Sequence, residues 1–152
     1  MHVTICPLSF EDIPGCIAIN RSLPKWFGQE DGLAEAEGYL HEHTGLVAVE
    51  NGAVVGYLTW QRLFPGSSEI SWMAVSKSQH RKGIGRALIA ALEERLPGNS
   101  LLSVKTLDAS HPSPEYAATR AFYRAVGFEE QMAFPDLWGI SNPCLLMVKT
   151  VN

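Results

Sequence analysis

The passage from residue 69 to residue 96 constrains this chain more than any other, because its hydrophobic period changes in the middle. Glu69, Ser71, Met73 and Val75 alternate with Ile70, Trp72 and Ala74, the two-residue period of a strand with β-branched or aromatic side chains on both faces. Beyond Gly83-Ile84-Gly85 the spacing becomes helical. Ile84, Leu88, Ala91 or Leu92, and Leu96 recur on one side, and Arg86, Glu93, Glu94 and Arg95 make the solvated face. Two glycines at the junction bring the loop N–H groups and the helix's first unpaired N–H groups into one small volume, which suits an anion. A plain glycine turn is the competing reading of the same residues.

At 152 residues the chain, taken whole as residues 1–152, has the length of one domain with one core. A formal charge of −4 and the lack of any Lys and Arg run speak against a nucleic-acid partner and mildly favour a cationic or neutral substrate. The start of the chain has no basic segment followed by an apolar one, and no apolar stretch approaches ~18 residues, so a soluble, cytoplasmic protein without a membrane partner is expected. Cys6, Cys16 and Cys144 are odd in number and widely spaced, the pattern of reduced, mostly buried thiols. His41 and His43 would point about 200° apart on a helix, as solvated residues rather than metal ligands.

In chain order, a strand over residues 3–7 leads to Ser9, and Glu11 and Asp12 then precede a first helix through Ile13, Cys16, Ile17 and Ile19. Residues 21–32 lose regularity. Trp26 and Phe27 there either pack onto the core or line a pocket beside Glu30 and Asp31. A short helix over residues 34–43 follows. Asn51-Gly52 between two apolar runs signals a hairpin, and a turn at Gly66 completes an antiparallel meander of three strands. A fifth strand over residues 101–107, after the long helix, demands a parallel crossover, so the sheet is mixed. Beyond Pro114 a helix over residues 115–126 has Ala118, Ala121, Phe122 and Ala125 as its apolar face and Gly127 as its cap residue. That face leaves Tyr123 about 100° away, off the core and beside Thr119. Strands over residues 128–133 and 144–150 close the sheet, joined by a loop that carries Asp136 and Trp138.

The order of elements, Met73-Ala74-Val75 followed by Gly83-Ile84-Gly85, and the later Phe122-Tyr123-x-x-x-Gly127-Phe128 together resemble the GNAT superfamily of acyl-CoA-dependent N-acetyltransferases over nearly the whole chain. The resemblance implies an α/β fold of the mixed α+β kind, a single GNAT-like domain. Its central mixed sheet of six to seven strands would be flanked by about four helices and splayed between strands four and five. It also implies an N-acetyltransferase with acetyl-CoA as cosubstrate and no metal, which moves an acetyl group to a primary amine of a small molecule or peptide by direct transfer in a ternary complex. A homodimer is compatible with it. The alternative is a catalytically inactive acyl-CoA-binding regulatory module.

By the same resemblance Met73, Ala74 and Val75 form a rail for the pantetheine arm, with the Val75 N–H aimed at the thioester oxygen. His80, Arg81, Lys82, Gly83, Ile84, Gly85 and Arg86 would wrap the pyrophosphate. His80 stands where the family pattern has Gln or Arg, and Tyr116 where relatives often carry Asn. Tyr123 matches the general acid that protonates the leaving thiolate, although a tyrosine here can also only hold coenzyme A, or be an ordinary amphipathic residue. Glu69, six residues before Val75, matches the catalytic carboxylate of the histone-acetylating branch. Simple alternation puts it on the face of Ser71, Met73 and Val75, which a β-bulge would shift. A solvated glutamate at a strand start is the competing reading, and Asp108 and His111 are reserve bases. An acidic, aromatic rim of Trp26, Phe27, Glu30, Asp31 and Trp138 would suit a primary amine.

Overall fold

The computed structural model describes residues 2–26, 30–80, 82–139 and 141–152, with Glu30 and Asp31 by their backbone only. The elements follow as β1 (Val3–Pro7), α1 (Ile13–Arg21), α2 (Glu30–Glu42), β2 (Thr44–Glu50), β3 (Ala53–Phe64), β4 (Ser67–Val75), α3 (Ile84–Glu93), β5 (Leu101–Leu107), α4 (Pro114–Ala125), β6 (Glu129–Phe134) and β7 (Cys144–Thr150). The strands form a sheet in the order β1-β2-β3-β4-β5-β7-β6. β1 with β2, β2 with β3, β5 with β7 and β6 with β7 are antiparallel, and β4 with β5 is the parallel pair that the crossover demanded. Contacts gather into two units, one of Met1–Gln61 with Ile70–Pro97 and one of Arg62–Glu69 with Gly98–Asn152. β4 divides between them: Ser67, Ser68 and Glu69 belong with the second unit, and Ile70 onward with the first. The division falls at the strands where the resemblance placed a splay.

In the first unit the β2–β3 hairpin turns on Asn51 (φ 52°) and Gly52 (φ 79°), two successive left-handed residues that only such a pair adopts cheaply. One face of the hairpin carries Tyr57 and Val47, and they close over Ile13, Cys16 and Ile19 of α1, with Leu23 and Leu40. The other face meets α3, which packs on β1 and β2. There a Cβ on Gly56 would stand 3.1 Å from Ile84 Cγ2, so glycine is what lets the start of α3 approach the strand. Asn20, almost wholly buried, accepts from the Tyr57 hydroxyl at 2.8 Å and from Trp72 Nε1 at 3.3 Å, which fixes α1 to the sheet. Burial raises the Tyr57 pKa far above the tyrosine norm, and it pushes the Cys16 thiol up to about 12. The three cysteines are unpaired, with Cys16 and Cys144 buried.

Two helix boundaries differ from expectation. α2 begins at Glu30 rather than at residue 34, because Gly32 is tolerated inside it. α3 ends at Glu93, short of Leu96, and Pro97 keeps the helix from running through Leu96 by disfavouring the helical region there.

In the second unit β5 pairs with β7 from Leu101 opposite Thr150 to Leu107 opposite Cys144, and β6 lies on the far side of β7 with a bulge between Glu130 and Met132. Ser113 caps α4 by accepting from the Tyr116 N–H at 3.2 Å, and Pro114 occupies its first turn. The expected apolar face of this helix is corrected. Ala118, Ala121 and Ala125 are exposed, and Arg120 and Tyr123 are the buried residues, with Val126 just beyond. Three methyl groups offer little area to remove from water. One phenol ring and one arginine stem offer more. Arg120 is tolerated inside because its Nη1 donates to the Leu107 carbonyl at 2.6 Å. No helix among the described residues is long and apolar enough to cross a membrane.

Candidate active site

The first unit holds the glycine loop. After Val75 the Ser76 N–H donates to Val55 O, and residues 77–79 make one 3₁₀ turn, with Gln79 N–H bonded to Ser76 O and His80 N–H to Lys77 O. Gly83 then enters α3 in the left-handed conformation, φ 82°, with nothing within 4 Å of where a Cβ would sit. The Ala87 N–H closes the first helical bond onto Gly83 O, which leaves the N–H groups of Ile84, Gly85 and Arg86 without intrahelical acceptors at the positive end of the helix dipole. Lys82 and Arg86 are exposed around them, and a shallow groove of about 340 Å³ runs along Val3, Ile5, Lys82, Gly83, Ile84 and Ala87. The arrangement can hold an anionic group by backbone donors with flanking cations. Arg81 lies outside the described residues.

His80 does not extend as a free charge. Its Nε2 lies 2.8 Å from Val75 O, and its ring meets Trp26 edge-on at 5.4 Å. A carbonyl only accepts, so Nε2 carries the proton and donates, tying the loop to the end of β4. Trp26 also packs against the α1 core, the packing outcome of the two readings offered for it. Phe27 and the side chains of Glu30 and Asp31 lie outside the described residues, and Trp138 is exposed.

Strict alternation fails within β4. Thr59 shares the Tyr57 face of β3, and Ser71 Oγ lies 2.8 Å from Thr59 Oγ1 and 2.8 Å from His43 Nδ1. Ser71 therefore turns to the α1 and α2 side. Its neighbour Trp72 turns to the same side, with Nε1 on Asn20 and the ring on the same core as Ala74. Two successive residues on one face are the mark of a β-bulge. Past it Val75 falls on the opposite side, 3.4 Å from the Cβ direction of Gly56. The alternation that grouped Glu69 and Ser71 with Met73 and Val75 does not hold.

The second unit carries Glu69, Tyr123 and the reserve bases. Glu69 Oε2 meets Lys105 Nζ at 2.6 Å, and the Glu69 side chain is only 12% exposed, so the carboxylate is enclosed and ion-paired rather than solvated. Tyr123, expected off the core, is 6% exposed, with Phe122 and Phe128 ring centroids each 5.4 Å away. Burial, and secondarily Tyr116, raise its pKa far above the tyrosine norm, so the phenol keeps its proton. Burial pushes Tyr116, one face-repeat earlier on α4, up to about 12. Among the described residues, buried side-chain atoms without a hydrogen-bond partner lie on Asn20, Glu50, Gln79 and Thr106.

The reserve bases are committed to a turn. The Ser110 N–H, the largest influence, and its hydroxyl bond Asp108 Oδ2 and hold that carboxyl below its ordinary range, and His111 Nδ1 accepts from the Ser113 N–H at 3.2 Å. Sequence reasoning missed Lys105, Arg120 and the His43–Ser71 contact. Each meets its partner only through tertiary packing, and no local spacing announces it.

A profile of the acetyltransferase (GNAT) domain matches residues 41–130. Among solved structures, a GNAT-family protein from Desulfovibrio desulfuricans aligns with a TM-score of 0.85 at 21% identity, over 99% of this chain and 100% of that one. The ribosomal-protein-S18-alanine N-acetyltransferase of Escherichia coli aligns at 0.76 and 19%, over 99% and 95%. An aminoglycoside 6'-N-acetyltransferase complexed with coenzyme A aligns at 0.72 and 16%, over 98% and 97%. No curated protein matches the sequence. At such identities the structures speak for the fold, and the matched profile, which spans more than half the chain and takes in β4, the glycine loop and α4, speaks for descent: the chain belongs to the GNAT acetyltransferase family.

Proposed function

We propose that this protein moves an acetyl group from acetyl-CoA to a primary amine of a small molecule or peptide, by direct transfer in a ternary complex. The observation that carries the reading is the turn after Ser76, braced by the His80–Val75 bond and followed by a left-handed Gly83 that opens α3, where Ile84 and Gly85 precede the first helical bond. Met73, Ala74 and Val75 would serve as the pantetheine rail, and residues 80–86 would take the pyrophosphate. The coenzyme A complex of the aminoglycoside enzyme supports that coenzyme. The amine acceptors named for two of the solved structures, an aminoglycoside and a ribosomal-protein alanine, support an amine here.

Transfer needs a neutral amine, a stabilised oxyanion and a protonated leaving thiolate. In this reading the Val75 N–H meets the oxyanion and Tyr123 donates the proton to sulfur. Its raised pKa keeps it an acid across the neutral range. Glu69, its carboxylate held by Lys105, is the first candidate for the base that frees the amine.

The test is release of free thiol from acetyl-CoA in the presence of an amine panel: an aminoglycoside, a polyamine, and peptides with free α-amino groups. Thiol release that depends on one amine class supports the enzyme. Tight acetyl-CoA binding with the thioester left intact by every amine would make the protein an acyl-CoA-binding regulatory module.

A further inference from the structure

The bulge in β4 places Ser71 between Thr59 and His43 in one chain of hydrogen bonds, both links 2.8 Å long. The direction of that chain follows from counting protons. Thr59 is wholly buried, and its hydroxyl meets no other partner among the described residues, so its proton has only Ser71 Oγ to go to. The reverse direction would leave a buried hydroxyl proton unbonded, the costlier arrangement. Among the described residues Ser71's own proton then has only His43 Nδ1 as an acceptor, which assigns the lone pair to Nδ1. His43 is thereby a neutral ring protonated at Nε2, half-buried, with Tyr39 stacked on it at 4.7 Å and the Tyr39 hydroxyl bonded to Glu35.

One lone pair of Ser71 Oγ takes the Thr59 proton, and no described residue fills the other. We propose that Ser71 and His43, in place of the lysine-paired Glu69, form the proton-accepting relay for the acceptor amine, with Ser71 two residues before Met73 on the strand assigned to the pantetheine arm. This rests on the acyl-transfer reading above. The step balances: an ammonium N–H bond breaks and its proton goes to Ser71 Oγ. The Ser71 O–H bond breaks in turn, its proton goes to His43 Nδ1, and imidazolium forms. The freed nitrogen pair attacks the thioester carbon, the C–S bond breaks, and the thiolate takes its proton from Tyr123. The second proton of the new amide nitrogen restores Tyr123, and imidazolium returns its proton to solvent. Against the His43 ring lie the uncharged Ser71, itself bonded to Thr59, from the sheet and Tyr39 from α2, with Glu35 bonded to Tyr39 and Glu42 adjacent in the chain as the nearby carboxylates.

Two measurements on the whole protein test it. Long-range ¹H–¹⁵N NMR, with His43 assigned by comparison with His43→Gln, should show Nδ1 unprotonated and Nε2 protonated in the resting protein. The pH profile of kcat, taken with acetyl-CoA and the best amine of the panel, should have an acid limb that His43→Gln and Ser71→Ala both lose. Their kcat should fall roughly 10²-fold, the lower range for acid–base groups, with acetyl-CoA affinity unchanged within twofold as evidence of folding. Ser71→Thr, which keeps the hydroxyl, should keep the limb. An Nδ1-protonated ring overturns the relay whatever the kinetics, and so does a His43→Gln profile that matches wild type. A wild type that consumes acetyl-CoA with no amine overturns the functional reading and the relay's role together. The NMR tautomer separates that failure from a relay that was never built.

Discussion

The two units of this protein offer chemistry by different means. Around its glycine loop the first unit presents backbone: a left-handed Gly83, the start of α3, and a histidine that holds a carbonyl at the end of β4, with the Ser71–His43 pair as its side-chain contribution. The second presents side chains whose environment makes them useful, a phenol kept protonated by burial and a carboxylate kept in place by a lysine. Backbone sites tolerate change in side chains provided that the conformation survives. Side-chain sites tolerate change in conformation poorly, because burial and pairing set their protonation.

That contrast can be broken or sharpened by substitution. The largest effect is expected at Tyr123→Phe, which should lower kcat by roughly 10²-fold or more while acetyl-CoA affinity, measured by calorimetry, stays within twofold. Equal turnover would remove Tyr123 from the chemistry. Gly83→Val is the mirror experiment. A left-handed residue costs an L side chain about 1–2 kcal/mol, so binding of acetyl-CoA should weaken about tenfold or more. Unchanged affinity would mean that the cradle is elsewhere.

Stability tests follow. Arg120→Met keeps the stem but leaves the Leu107 carbonyl without its donor, and a loss of about 1–3 kcal/mol is expected in urea unfolding. If the variant is as stable as wild type, the buried guanidinium is not needed by α4. Alkaline pH should act next. The Cys16 thiol and Tyr116 phenol both stand at about 12 in the folded protein, above their unfolded values, so the stability they add is complete below pH ~9 and is lost as pH rises above it. Each group contributes about 1.4 kcal/mol per pH unit over that climb, and Cys16→Ala should flatten the first part of it. Lys105→Met should change stability by less than about 1 kcal/mol, because the lysine is partly exposed. A larger loss would make the Glu69–Lys105 pair part of the framework rather than of the chemistry.

Much of the first unit could be read in the residues. Asn51-Gly52 names its own turn, and the switch from two-residue to helical spacing around Gly83 and Gly85 names both elements and the glycine turn between them, since local sterics decide both. The second unit was less legible. Counting apolar residues on α4 picked Ala118, Ala121 and Ala125, because spacing reports hydrophobic type and not the area that each side chain buries. Tyr123 and Arg120 are inside because β5 accepts them there, and residues 101–107 carry no sign of that. The bulge in β4 is the intermediate case. A two-residue period is visible across residues 69–75, but the single slip that turns both Ser71 and Trp72 toward α1 is set by Thr59, His43 and Asn20, all distant in sequence.

The most direct measurement is the fate of a labelled acetyl group. With acetyl-CoA labelled in its acetyl carbon and the amine panel present, wild type is predicted to place the label on an amine as an amide, with no labelled protein trapped on acid quench. Label that stays in the thioester with every amine, although the coenzyme binds, would contradict the account.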